Sequence, residues 1–160
     1  LTNPAGARNQ LMGVFAADLT DTLAHVLGDL GARQAIVVNG YGGLDELTTT
    51  GPNTVSHFKD GHVTSYELDP IDYGFEGANI HDLLGGECAD NAAILRGILA
   101  GDVTGPKRDV VVLNAGAALV AAGKADDIAA GIKLAKEVID NGAALAKLDG
   151  LVAFSQKFAG

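Results

Sequence analysis

The sequence predicts a single α/β domain spanning 1–160, with a mainly parallel sheet flanked by helices and one antiparallel hairpin. Three observations carry this. Two short apolar runs, residues 10–15 and 34–39, bracket a helical pattern at Leu23, Val26, Leu27 and Leu30. That order, strand then helix then strand, is the signature of a parallel crossover. An Asp60-Gly61 step lies between two β-rich runs, a strong short-range hairpin signal. From Asp90 onward the apolar spacing is helical. The length, 160 residues, is typical of one domain and allows a core that removes roughly 70% of the unfolded chain's surface from water.

Gln10 to Phe15 reads as a buried strand. Asp18 or Thr20 is expected to cap the first helix, and Gly31 closes it as a glycine just past a helix end does. Gln34 to Asn39 is the second strand. Thr54–Phe58 and His62–Leu68 form the arms of the hairpin, on the margin of the sheet. Asp69-Pro70 ends the second arm, and residues 71–78 form a loop anchored by Tyr73 and Phe75. Asp90 opens a helix through Ala93, Ile94, Ile98 and Leu99 that ends near Gly101, and Gly105-Pro106 breaks the chain. Composition alone makes Val110–Leu113 a strand, whereas the Ala-rich continuation to Ala122 and its length favour a helix over 110–122. Asp126 or Asp127 caps a further helix with Ile128, Ile132, Ala135 and Ile139 facing inward. Asn141-Gly142 ends or kinks it, and residues 143–157 form the last helix.

Composition excludes several classes. The chain is 48% hydrophobic and 19% charged, a globular rather than disordered balance. With three Tyr, five Phe and no Trp, the core must be built from small and aliphatic residues. The net charge of −9 disfavours nucleic acid and acidic membrane surfaces as partners. The longest apolar stretch, 110–123, is too short to span a bilayer and is interrupted by Asn114. Cys88 is the one cysteine, so no intrachain disulfide forms, and no Asn-x-Ser/Thr sequon is present. Both fit a cytoplasmic location. The start at Leu1, without Met, reads as the middle of a longer protein.

The chemistry gathers after the second strand, in Gly40-Tyr41-Gly42-Gly43-Leu44-Asp45-Glu46. Mg²⁺ takes one or two carboxylates and keeps waters or substrate phosphates as its other ligands. Ligands of open α/β sheets collect beyond the carboxyl ends of the strands. Asp45 and Glu46 are therefore candidate metal ligands, and a solvated turn is the competing reading. Gly40, Gly42 and Gly43 let the loop turn and approach a ligand closely, or simply turn. His25, His57, His62 and His81 lack metal-ligand spacing, although His57 and His62 flank the hairpin and could face each other. Lys107-Arg108 suits a phosphate or a solvated helix start; Cys88 and Ser155 have no nucleophile context.

An ordered set of motifs carries a resemblance. Leu1-Thr2-Asn3-Pro4-Ala5, Gln10–Phe15 and Gly43-Leu44-Asp45-Glu46 are followed by Asn91–Arg96, Leu113-Asn114-Ala115-Gly116-Ala117-Ala118-Leu119 and Gly142–Leu148. Together they resemble the anthranilate phosphoribosyltransferase family over nearly the whole chain, but only its C-terminal half. The resemblance implies a nucleoside phosphorylase/phosphoribosyltransferase-like C-terminal domain, part of a two-domain glycosyltransferase, with a buried helix over 110–122. It implies phosphoribosyl transfer from 5-phosphoribosyl diphosphate to the amine of anthranilate, in tryptophan biosynthesis, with Mg²⁺. Asp45 and Glu46 match the metal-binding pair. Asn3 and Pro4, with Thr2, match a turn near the acceptor pocket, where a purely structural turn is the alternative. Gly43 belongs to the same ligand-facing loop. No catalytic nucleophile is implied.

The family's Gly-Thr-Gly-Gly-Asp diphosphate loop, its Lys-His-Gly-Asn-Arg segment, the arginine that meets the acceptor and its N-terminal helical domain do not occur in these 160 residues. The chain alone is therefore expected to be inactive and to need the missing N-terminal half as partner. It is also expected to self-associate through the surface that half would cover. Two other classes compete. A pyrimidine nucleoside phosphorylase shares the architecture but not the Leu-Thr-Asn-Pro and Gly-Leu-Asp-Glu motifs; the other is a non-catalytic assembly module.

Overall fold

The structure is a computed structural model and describes residues 5–158. Its strands are β1 (Asn9–Gly13), β2 (Gln34–Asn39), β3 (Asn53–Lys59) and β4 (His62–Leu68). Its helices are α1 (Leu19–Asp29), α2 (Cys88–Ala100), α3 (Pro106–Ala121), α4 (Ile128–Asp140) and α5 (Ala143–Ser155). Short 3-10 turns occupy Pro70–Tyr73, Ile80–Leu83 and Gln156–Phe158.

The α/β class and the flanking helices hold, and the sheet is mixed rather than mainly parallel. Strand order is β1-β2-β3-β4; β1 and β2 are parallel, while β2–β3 and β3–β4 are antiparallel. The physical reason is the number of crossovers. A parallel neighbour needs a long connection, usually a helix, and only α1 supplies one. The loop of residues 40–52 instead turns the chain back on the same end of the sheet, so β3 runs against β2.

β2 is buried along its whole length. Alternate side chains serve two cores: Ile36 and Val38 pack with α3 and α4, Ala35 and Val37 with Ala24 and Leu27 of α1. A strand covered on both faces reads as a continuous apolar run, which is why 34–39 was legible. The hairpin also forms as expected: Asp60 (φ 51°) and Gly61 (φ 83°) make the two left-handed turn residues of a type I′ connection, and β4 is an edge strand.

Helix boundaries differ in detail. α1 ends in paired bonds from Gly31 N–H to Gly28 O and from Ala32 N–H to Leu27 O, the Schellman arrangement. Its start is not capped by a side chain: Asp18 has helical dihedrals and makes no capping bond, and the Thr20 hydroxyl donates back to Ala17 O at 2.9 Å. The N–H groups of Leu19 and Thr20 find Ala16 O and Ala17 O instead, so no cap is required there. α2 begins at Cys88, and Asp90 acts from inside, its Oδ2 accepting from Glu87 N–H at 3.1 Å. The 110–122 segment is helical within α3, where Val112, Leu113, Ala117 and Val120 meet the sheet core. Asp127 caps α4 through Ala130 N–H at 2.8 Å, and Ile128, Ile132, Ala135 and Ile139 are buried. In the loop after β4, Phe75 is buried and Tyr73 packs against the same core. Among the described residues no helix is long and apolar enough to cross a membrane.

Candidate functional site

The parallel pair β1–β2 ends at Gly13 and Asn39, so the loop of residues 40–46 leaves from the carboxyl end of both strands. It curls tightly: Gly40 N–H donates to Leu44 O at 2.7 Å and Gly43 N–H to Gly40 O at 3.0 Å. Gly42 (φ 77°) and Gly43 (φ 86°) occupy the left-handed region, which costs a residue with a Cβ but not glycine. Gly43 is exposed, and a Cβ there would approach Phe15 O to 3.3 Å.

Asp45 and Glu46 follow, both exposed. Among the described residues neither is in an ion pair. Their main chain, in contrast, is tightly held. It lies against the end of β1, where a Cβ on Gly13 would run into the Asp45 carbonyl. Leu47 then drops into the core with no exposed surface. Asn114 of α3 grips its backbone twice, accepting from Leu47 N–H at 3.0 Å and donating to Leu47 O at 2.7 Å. Asn53 does the same for Thr48, accepting at 2.8 Å and donating at 3.0 Å. Asn39 Nδ2 donates to Val14 O at 2.7 Å, tying the exit of β1 to the end of β2.

A cleft of about 460 Å³ lies on the outer side of this loop, lined by Tyr41, Leu44, Thr50, Ala78, Asn79 and Ile80. Tyr41 lies over Gly51, where a Cβ would meet the ring at 2.6 Å. The cations near the start of α3 are committed elsewhere. Lys107 Nζ donates to Leu84 O, Arg108 pairs with Asp140 at 2.6 Å, and Lys136 sits 5.2 Å from the Phe75 ring centre. Asp109 has its pKa raised by burial, against the opposing pull of Lys136 and Arg108.

The structure thus brings Asp45, Glu46 and Gly43 together on one loop, whereas Asn3 and Pro4 lie outside the described residues. His57 and His62 do not face each other: His57 is opposite Thr64, and His62 opposite Lys59. The two-residue turn sets that register. His57 Nε2 instead accepts from Gln34 Nε2 at 2.9 Å, and burial first, then Lys59, lowers its pKa. Cys88 is exposed, and Ser155 Oγ donates to Val152 O within α5. Among the described residues no group of three or more His, Cys, Asp or Glu is arranged to hold a metal. The supporting residues Gly13, Asn53 and Asn114 were not picked out as such in the sequence. Asn114 left one trace, a polar residue inside an apolar helix, which implies buried partners.

The glycine loop with its two carboxylates lies at the carboxyl end of a parallel strand pair, on an α/β sheet with helices on both faces, which is where open α/β sheets gather their ligands. The chain belongs to the glycosyl transferase family, a/b domain, whose profile matches residues 1–145. It is 51% identical over 159 residues to the anthranilate phosphoribosyltransferase of Moorella thermoacetica, covering 99% of this chain and 47% of that protein. It is 49% identical over 160 residues to the enzyme of that name from Rubrobacter xylanophilus, covering 100% and 47%. The crystal structure of anthranilate phosphoribosyltransferase from Thermus thermophilus superposes with a TM-score of 0.80 at 39% identity, over 89% of this chain and 41% of that one. The Saccharomyces cerevisiae enzyme in complex with PRPP and Mg gives 0.77 at 26% identity, over 88% and 41%. The chain spans about half the length of the curated relatives it matches.

Proposed function

We propose that this chain is the α/β part, carrying the metal-binding carboxylates, of a two-domain anthranilate phosphoribosyltransferase. The whole enzyme would transfer phosphoribosyl from 5-phosphoribosyl diphosphate to anthranilate in tryptophan biosynthesis, in the cytoplasm. The observation that carries the reading is the Asp45-Glu46 step in a chain of this family. It presents two exposed carboxylates, in no ion pair among the described residues, on a backbone held at the carboxyl end of the parallel pair.

The donor set fits Mg²⁺. Two hard carboxylates are too few for an all-protein cage but suit an ion that completes its shell with water and phosphate oxygens. Bound there, Mg²⁺ would neutralise charge developing on a departing pyrophosphate. The chain's own residues have three tasks. Asp45 and Glu46 hold the ion, Gly42 and Gly43 leave the loop open to a phosphate, and the end of β1 under Asp45 keeps the pair in place. Attack by an acceptor amine needs no nucleophilic side chain from the protein.

Lys107, Arg108 and Lys136 are already engaged, so the remaining charge on the diphosphate would be met by a companion N-terminal half. Pyrophosphate release with anthranilate and the diphosphate sugar tests this. The expected result is none from the 160 residues alone and turnover with the companion half. With the companion half restored, Asp45→Ala with Glu46→Ala should abolish Mg²⁺-dependent binding of the diphosphate sugar in calorimetry. Unchanged Mg²⁺ dependence would reduce the pair to a solvated turn.

Exposed Leu151, Phe154 and Phe158 on and after α5 favour self-association of the isolated chain. Gel filtration tests it: a monomer at all concentrations is the contrary result.

A further inference from the structure

We propose that Asn114 is a positioning residue for the metal site at Asp45 and Glu46, setting metal affinity from a helix on which neither carboxylate lies. The proposal rests on the reading that this pair holds Mg²⁺.

Among the described residues no ion pair orients either carboxylate, so their placement depends on the main chain at each side. Upstream, the tie is local, from Gly40 N–H to Leu44 O. Downstream it is long-range: Asn114 is 67 residues from Leu47 and binds both its N–H and its carbonyl. The same Nδ2 also donates to Val110 O at 2.9 Å. The amide is therefore filled, with both N–H donors and one oxygen acceptor in use. Leu47 is anchored twice, by this grip and by its buried side chain, and it immediately follows Glu46. Asparagine is a poor choice for a helix interior unless its side chain finds a partner. Here the partner is Leu47, the residue that directly follows the acidic step.

The chemistry allows few substitutes. Aspartate at 114 keeps an acceptor for Leu47 N–H but turns oxygen toward the carbonyls of Leu47 and Val110. Alanine leaves both groups of Leu47 without a side-chain partner. Either change loosens the loop where the metal must hold two carboxylates at once. Loss of a residue that orients metal ligands costs roughly 10–100-fold in metal affinity, and about tenfold is expected here.

The test uses the 160-residue chain with Mn²⁺ alone as a paramagnetic probe, read by broadening of the amide resonances of residues 44–47. Hydrogen exchange of Leu47 N–H is followed in the same samples. Asn114→Ala should keep the remaining spectrum, exchange faster at Leu47 and need about tenfold more Mn²⁺ for the same broadening. Asn114→Asp, of nearly unchanged size, should shift the midpoint in the same direction and guards against a folding defect in the alanine variant. A wild-type midpoint in either folded variant overturns the role of Asn114. The control, Asp45→Asn with Glu46→Gln, separates the two ideas. If it abolishes broadening while the Asn114 variants bind normally, the site stands and the positioning role falls. If the control itself broadens like wild type, the metal reading falls and takes this proposal with it.

Discussion

At the carboxyl end of β1 and β2 the chain carries Asp45 and Glu46. At the amino end it carries Arg8 and Arg33 just before those strands, with Lys59 and His62 at the hairpin turn. The two ends differ in more than charge. At the acidic end, three asparagines from three elements bind backbone: Asn39 to Val14, Asn53 to Thr48 and Asn114 to Leu47. At the basic end, Arg8 and Arg33 line an open cleft beside Asn9, whose Oδ1 is buried without a partner among the described residues. The side chains that fix backbone are concentrated where the carboxylates are. A loop that must hold two like charges side by side needs its geometry imposed from outside, because the charges repel. At the basic end the cations are exposed, and Gln34 binds backbone there, at Val120 O, on the sheet rather than on the loop that carries the charges.

The largest effect that would sharpen this contrast is expected at Gly13. A Cβ there meets the Asp45 carbonyl, and neither backbone can give way without disturbing β1 or the loop. Gly13→Ala should destabilise by roughly 3 kcal/mol, the upper range for overpacking, measured by urea denaturation. A change below about 0.5 kcal/mol, the size of an ordinary surface substitution, would mean that the loop is free to move off the strand. Next comes Asn53→Ala, which strips Thr48 N–H of its acceptor in a site with no exposed surface. A loss of roughly 2 kcal/mol is expected for leaving such buried groups unpaired, and a neutral result would show that the loop repairs itself.

At the opposite end, the informative group is His57. Gln34 donates to its Nε2 and also to Val120 O at 2.8 Å, so a proton on Nε2 would set donor against donor. Burial and the neighbouring Lys59 lower its pKa from 6.5 in the folded state. The unfolded state then binds more protons between the folded value and 6.5. Stability is fully present above 6.5 and is lost as pH falls toward the folded value, below which the loss levels off. Unfolding by urea from about pH 7.5 to about pH 5, where an ordinary histidine titrates, should show a slope that His57→Asn removes. An identical slope in the variant would assign the titration to another group.

The same contrast explains what the sequence revealed. β2 and the hairpin were legible because each rests on local signals, a doubly covered apolar run and an Asp-Gly turn. The α3 helix was not legible from the β-branched Val110–Val112 and followed from the family resemblance together with the alanine-rich length. The direction of β3 was not legible, because nothing local in residues 40–52 encodes a reversal in place of a crossover. The acidic step could be found for the same local reason, as adjacent residues on a glycine loop. Its supports could not, since Gly13, Asn53 and Asn114 reach it only through contacts formed after folding. Their signals are negative ones, a missing side chain in a strand and a polar residue in a core helix.

The smallest expected change is in the carboxylates themselves. Asp45→Asn with Glu46→Gln removes two charges but no ion pair of the described residues, and both groups are exposed. Stability should change by less than about 0.5 kcal/mol, as for surface positions without partners. The sign should be toward stabilisation, because adjacent negative charges repel and the chain already carries −9. Added salt should shrink the difference by screening that repulsion. If the variant is instead markedly less stable in urea, the carboxylates support the loop rather than burden it. The asparagine grip would then be the consequence of their placement and not its cause.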